Sequence, residues 1–502
     1  MAYRMSKFSP IRHYKSDTYS VRERTGEDTP PTVRTDHDEK AVGPVPTVIC
    51  RPVATKWWMI ISGTVLADAT TVIEDGAVVV EGSDIVDVGN REQLRDQYPD
   101  RRELQYDIVM PGLVGGHIHS VQSLGRGISD DQELLDWLFD YILPMEATLS
   151  ADEMEVAAKL GYLELIETGT TTAIDHLSVA HADRAFEAAG EMGIRGVLGK
   201  VLMDQRSPEG LLEDTQDALD ESERLIEQYH GGFDDRIRYA VTPRFAVSCS
   251  EACLRGAREL ADCYEGVRIH THASENHGEI ETVEADTGKR NIHWLEEVGL
   301  TGEDVVLAHC VWTDESERRV LAETGTHVVH CPSSNMKLAS GIAPVVDYLD
   351  RGINVALGND GPPCNNTLDP FTEMKQASTL QKVDQLDPTV APTETIIEMA
   401  TINGARAAGF DRLGKLKPGW RADIVGLSTD TARATPLYDP RSFLVFAACG
   451  EDVQLTMVDG EILMEDGTVT VADAEAIRRE AREVADSLDI SAAREQARQQ
   501  KP

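Results

Sequence analysis

The sequence predicts an α/β protein: a (β/α)8 barrel carrying a composite β-sandwich domain formed by N- and C-terminal segments. Three observations predict it. Across 109–416, short apolar runs alternate with helical stretches eight times, the repeat that builds a closed parallel sheet. Runs of strand character flank that region on both sides. Finally, nearly every apolar run of the middle region ends in a polar residue able to bind metal or move a proton, and strand ends are where barrel active sites sit.

Composition bounds the class before any motif is read. The 502 residues are 41% hydrophobic and 27% charged, with no apolar run of the ~18 residues a membrane span needs. Net charge is −39, from 48 basic and 87 acidic residues distributed along the chain. That field repels nucleic acid and anionic membranes. Such an excess of hydrated carboxylates suits a protein kept soluble in a salt-rich cytoplasm, where charge repulsion is screened. None of the 8 cysteines forms a CxxC pair, and the opening MAYRMSKFSP lacks the apolar stretch of a signal peptide. Reduced thiols in a cytoplasmic protein are therefore expected. Cys310 and Cys331, which follow His309 and His330, read as small buried residues at strand ends rather than nucleophiles.

Residues 1–46 are rich in Thr, Asp, Arg and Pro and follow neither hydrophobic period; they read as a disordered polar arm that cannot offset its ordering entropy. In 47–108, runs such as WWMIISGTVLA and GAVVVEG alternate with Gly and Asp turns, and ADIVGLS and VQLTMVDGEILMEDGTVTV do the same in 417–471. Two distant β segments of one style predict a single small domain in which each half covers the other's apolar face. The barrel strands are predicted in DIVMPGLVGGHIHS, TTTAIDH, IRGVLGKVLMD, RIRYAVTPRF, VRIHTHASEN, DVVLAHC, THVVHCPSSN and INVALGNDG, with helices such as ADEMEVAAKLGYLELIETG between them. The tail, 472–502, reads as a charged amphipathic helix packed on the surface.

Strand one ends His117-Ile118-His119. Side chains alternate along a strand, so both imidazoles face the same way and suit one cation. Strand five adds His272 and, three residues on, Glu275; strand six adds His309; strand eight adds Asp360. Three imidazoles and a carboxylate fit one divalent ion, Zn²⁺ first and Fe²⁺ as the alternative, with room for a water. Such an ion lowers the pKa of bound water towards ~7, supplying a nucleophile at neutral pH. Glu275 is then free to carry a proton to a ring nitrogen, while His309 and Asp360 orient and deprotonate the water.

The segments PGLVGGHIHS, HTHASEN, LAHC, HCPSSNMKLASGIAPV and LGNDGPPCNNTLDPF, within a likeness running from Ile60 to Gly467, resemble the amidohydrolase superfamily. The similar branch is that of ring deaminases and triazine hydrolases, which includes methylthioadenosine/S-adenosylhomocysteine, 5'-deoxyadenosine and guanine deaminases. The resemblance implies a mononuclear site with His117, His119, His272 and Asp360 on the metal, Glu275 as proton shuttle and His309 bonded to the attacking water. Binuclear relatives carry a carboxylated lysine at the end of strand four. Here strand four ends Pro243-Arg244-Phe245, and Lys200 falls in strand three. His270 and His330 read as structural residues, the latter orienting the loop after strand seven; His176 reads either as structural or as a substrate contact.

For the substrate, the resemblance makes Glu146, in LPMEATL, the partner of ribose hydroxyls in an adenosine derivative. Arg244 and Phe245 instead resemble the pair that holds an oxopurine in guanine deaminase, and Gln122 suits a base-reading amide. Glu146 as a solvated helix-start carboxylate and Arg244 paired with a barrel acid are the structural alternatives. The expected reaction is hydrolytic deamination of a small amino-substituted N-heterocycle. Adenosine derivatives rank first, guanine or 8-oxoguanine second and s-triazines third. A metal-free scaffold protein is the non-enzymatic alternative, and its mark, missing ligands, is absent here. The resemblance also implies a homo-oligomer.

Overall fold

The computed structural model describes residues 58–501. The predicted polar arm, and residues 47–57 of the predicted β segment, lie outside the described residues. The chain opens with β1 (Trp58–Leu66), β2 (Val72–Glu81), β3 (Asp84–Asn90) and β4 (Arg102–Pro111). The barrel follows as β5 (Leu113–Ile118), β6 (Thr170–His176), β7 (Arg195–Gly199), β8 (Val201–Leu202), β9 (Ile237–Pro243), β10 (Arg268–Ala273), β11 (Val305–His309), β12 (His327–His330) and β13 (Val355–Leu357). The chain then returns to the first sheet with β14 (Ile424–Leu427), β15 (Val453–Val458), β16 (Glu461–Glu465) and β17 (Thr468–Val469).

The two terminal segments join edge to edge, β14 running antiparallel to β4, in an eight-stranded sheet of order β17-β16-β15-β14-β4-β1-β2-β3. The expected composite domain of N- and C-terminal segments is thus formed, its strands hydrogen-bonded in one continuous order. Val78, Val80, Ile85, Val109, Ile424, Leu455 and Met457, from both halves, share one buried cluster on it. The predicted first barrel strand needs correction: Asp107–Pro111 finishes β4, and the barrel strand starts only at Leu113. Gly112 marks the break, since a Cβ there would lie 2.1 Å from Thr171 Oγ1.

The barrel strands run parallel in the order β5-β6-β7-β9-β10-β11-β12-β13, with β8 continuing β7 against β9. Ile174, Val197, Ala240, Val306, Val329 and Ala356, from six strands, pack with Ala405, Ala408, Phe410 and Leu413, so the barrel is filled with small apolar side chains below its polar strand ends. Between β13 and β5 the ring closes through the Ile118–Asp360 bridge, and Asp360 N–H donates to His117 O at 2.9 Å. A Cβ at Gly358 would sit 2.9 Å from the His117 backbone; glycine is what lets the last strand approach the first. The seam of the barrel therefore brings Asp360 beside His117 and His119, residues about 240 positions apart in sequence.

The predicted C-terminal helix is two helices, Ala474–Ser487 and Ser491–Gln500. Asp489 breaks the run by accepting from Ser491 N–H at 3.0 Å, a local turn that competes with helix. The second helix packs on 134–148: Arg498 pairs with Asp140 at 2.8 Å, and Arg494 lies 4.2 Å from the Tyr141 ring centroid. Among the described residues no helix is long and apolar enough to cross a membrane.

Candidate metal centre and active site

One Nε2 each from His117, His119 and His272 and an Asp360 oxygen lie within 4.8 Å of one another at the carboxyl ends of β5, β10 and β13. The other ring nitrogens fix the tautomers. His119 Nδ1 donates to His176 O at 2.7 Å and His272 Nδ1 to Arg244 O at 2.6 Å. His270 Nδ1 donates to Val306 O at 3.0 Å, leaving its Nε2 to accept from His117 Nδ1 at 2.7 Å. Each of the three outer imidazoles therefore turns a bare Nε2 lone pair inward. Burial holds His117 and His272 well below the ordinary imidazole range, which keeps them neutral.

Two of those lone pairs, on His119 and His272, face each other at 3.2 Å, and His117 Nε2 is buried without a hydrogen-bond partner. Neither arrangement is favourable unless a cation lies among them. Asp360 Oδ1 lies 3.4 Å from His117 Nε2 and 3.3 Å from His119 Nε2. Burial opposes ionisation of Asp360, but its interactions with these two imidazoles hold it well below the usual carboxylate range. Neutral nitrogens with one carboxylate are the donor set of a borderline divalent ion, so these residues fit a metal.

The proton-handling groups face the same point. Glu275 Oε2 lies 3.5 Å from His309 Nε2, and Ser340 Oγ donates to Glu275 Oε1 at 3.1 Å. Burial, aided by the nearby Asp360 and Glu279 charges, pushes Glu275 up to about 7, the range in which a carboxyl both takes and gives a proton near neutrality. His309 Nδ1 donates to Asn335 Oδ1 at 3.0 Å, so its partnerless Nε2 points towards Glu275 and Asp360. Burial would lower His309, but the Glu275 and Asp360 charges raise it above its ordinary value. Ser274, His309, Cys310 and Asp360 all have φ between 47° and 72°; left-handed backbone at four non-glycine residues is strain gathered at one site.

The cavity in front of this cluster is lined by Leu134, Trp137, Leu138 and Phe245 together with Arg244, Glu275, His119, His272, His309 and Asp360. Gln122 and Glu146 lie behind that lining. Glu146, 1% exposed, accepts from Gln122 Nε2 at 2.8 Å and Ser178 Oγ at 3.0 Å, and lies 3.6 Å from Arg244 NH1. Both carboxylate oxygens are therefore engaged, while Arg244 NH1, near Glu146, is buried without a hydrogen-bond partner. The Arg244 backbone is engaged, since Arg244 O accepts from both His272 N and Nδ1.

Lys200, at the end of β7, pairs with Glu213 rather than facing the ligands. His176 makes no side-chain hydrogen bond; its carbonyl is what holds His119. His330, expected to orient the loop after strand seven, also has no partner on either ring nitrogen. That segment carries two residues the sequence reading missed: Ser334, which donates to Asp360 Oδ2 at 2.6 Å, and Asn335, which accepts from His309 Nδ1 at 3.0 Å. Their signal was the polar run SSN directly after a strand end. Glu279 was missed as well; it accepts from Ser274 N–H at 3.2 Å and Glu275 N–H at 2.6 Å and so sets the backbone at Glu275.

A family model described as the amidohydrolase family matches residues 108–463. A second, the imidazolonepropionase-like composite domain of bacteria, matches 76–100 in the terminal sheet. The chain is 42% identical over 420 residues to a 5'-deoxyadenosine deaminase from Methanothermobacter thermautotrophicus, covering 83% of this chain and 95% of that one. It is 40% identical to a 5-methylthioadenosine/S-adenosylhomocysteine deaminase from Syntrophobacter fumaroxidans, covering 83% and 94%. Among solved structures, an adenosine deaminase from Xanthomonas campestris with bound zinc superposes with a TM-score of 0.82 at 30% identity, covering 86% of this chain and 98% of that one. With the barrel, the strand-end ligand set and these relatives in agreement, the chain belongs to the amidohydrolase family.

Proposed function

We propose that this hydrolase is a metal-dependent deaminase, replacing the exocyclic amino group of a purine-type ring by oxygen and releasing ammonia. Adenosine derivatives of the 5'-deoxyadenosine, methylthioadenosine and S-adenosylhomocysteine type are the leading substrates, as the relatives' names suggest. The observation that carries the reading is the placement of Glu275 and His309 beside three inward Nε2 lone pairs and Asp360.

His117, His119, His272 and Asp360 would hold the metal, with zinc first and iron(II) as the alternative. Bound there, a divalent cation supplies an acidified water and stabilises negative charge developing on oxygen. Phe245 and Trp137 give the cavity apolar walls suited to a flat ring. His309 Nε2 orients the attacking water and takes up its proton with Asp360. Glu275 delivers a proton to the ring nitrogen adjacent to the attacked carbon as the C–O bond forms. The proton held by His309 and Asp360 then passes to the amino group, the C–N bond breaks with ammonia as leaving group, and the new hydroxyl returns its proton to Glu275 as it becomes the ring carbonyl.

One observation favours a second reading, guanine or 8-oxoguanine. Arg244 lines the cavity while Glu146 is occupied behind it, so the recognition group on offer is a guanidinium for a carbonyl rather than a free carboxylate for a diol. An ammonia-release screen at high salt across adenosine analogues, guanine, 8-oxoguanine and s-triazines decides between them. Turnover of 5'-deoxyadenosine or methylthioadenosine is expected; turnover of guanine alone would invert the order.

A further inference from the structure

Glu373 lies outside the cavity, on the helix Pro370–Gln385, and is 1% exposed. Among the described residues it makes no ion pair. Its carboxylate is instead compensated by neutral donors from two loops. Oε2 accepts from Ser333 N–H at 3.2 Å, and Oε1 accepts from Ser333 Oγ and from Asn365 Nδ2, the latter at 2.8 Å. Asn365 Nδ2 also reaches Asn359 O at 2.7 Å, on the residue before Asp360. Ser333 directly precedes Ser334 and Asn335, the residues that bond Asp360 Oδ2 at 2.6 Å and His309 Nδ1 at 3.0 Å.

We propose that Glu373 is a positioning residue for the metal: one buried carboxylate ties the loop after β12 to the loop after β13, and so fixes Asp360 and His309 without touching either. The inference rests on the metal reading above. A carboxylate in a dry interior is costly unless it is hydrogen-bonded, and here the three bonds it accepts come from the segments that carry Ser334, Asn335 and Asp360. Asp360 needs such holding because its φ of 61° is unfavourable for a non-glycine residue. Partners that orient a ligand from outside the coordination sphere typically govern 10–100-fold of metal affinity.

The test is Glu373→Gln, which keeps the volume but replaces one acceptor oxygen by a donor. Zinc affinity, measured by competition with a chromogenic chelator, is expected to fall by ~10–100-fold. The melting temperature of the metal-free protein should move little, and excess zinc should restore turnover. Unchanged affinity, or a loss seen only as a lower melting temperature of the metal-free protein, overturns the proposal. Should that variant not fold, Asn365→Ala and Ser334→Ala probe the same path and are expected to lose zinc affinity without a matching loss of metal-free stability. In the foldable case, the double variant with Ser334→Ala is expected to lose less than the sum of the two single losses; strict additivity would contradict a path through Ser334. If the wild-type protein binds no stoichiometric metal, the metal reading itself fails; if it does and Glu373→Gln binds equally well, only this inference fails.

Discussion

Replacing Glu275 by Gln lowers kcat by ~10²–10⁴-fold, the usual share of a positioned proton carrier, while metal content stays at the wild-type level. The amide fills the same space and still accepts from Ser340 Oγ, but it has no acidic proton to deliver to a ring nitrogen. Glu275 lies 3.5 Å from His309 Nε2 and outside the four-residue ligand cluster, so the loss should appear in kcat and leave KM nearly unchanged. Steady-state kinetics with metal analysis of the same sample checks it. Metal lost together with activity would mean that Glu275 is a ligand.

The largest effect on stability is expected at Arg195, at the start of β7. Its guanidinium is 1% exposed and reaches Asp423 through Nε and NH2, both at 3.0 Å, and Asp459 at 2.6 Å. Both acids belong to the C-terminal part of the chain, so this network joins the barrel to the terminal sheet. Asp423 Oδ1 also accepts from Asp459 N–H at 2.9 Å. Arg195→Ala leaves the buried Asp423 without its cation and Asp459 with only the partly exposed Arg236 and Arg421, a loss of ~3–5 kcal/mol, measurable by urea unfolding. Adding Asp423→Asn should recover part of it, because the penalty comes from stranded charge rather than from the pair's net contribution. A single-variant loss below ~1 kcal/mol, the range of exposed pairs, would show that the network is not desolvated.

The barrel was legible because each strand is a short apolar run whose inward polar residue sits at the carboxyl end, as with His117 and His119 at the end of β5. What was not legible is where one sheet stops and the other starts. Asp107–Pro111 and Leu113–Ile118 are both apolar, and only the close approach of Thr171 to Gly112 separates them. The terminal β segments could be seen to need each other, but edge pairing and face packing leave the same alternation in sequence. For the site, HxH spacing and strand ends pointed to the ligand types. The residues that fix tautomer and rotamer were hidden, because they act through carbonyls, as Arg244 and His176 do, or from other segments, as Ser334 and Asn335 do. Backbone acceptors carry no side-chain signature, and loop partners separated by tens of residues have no period to read.

Metal stoichiometry tests most directly whether His117, His119, His272 and Asp360 hold a single divalent ion. Elemental analysis of wild-type protein dialysed after zinc loading should give one equivalent per chain, falling to a small fraction of that in His272→Ala. Two equivalents per chain, none, or one retained in His272→Ala would contradict it.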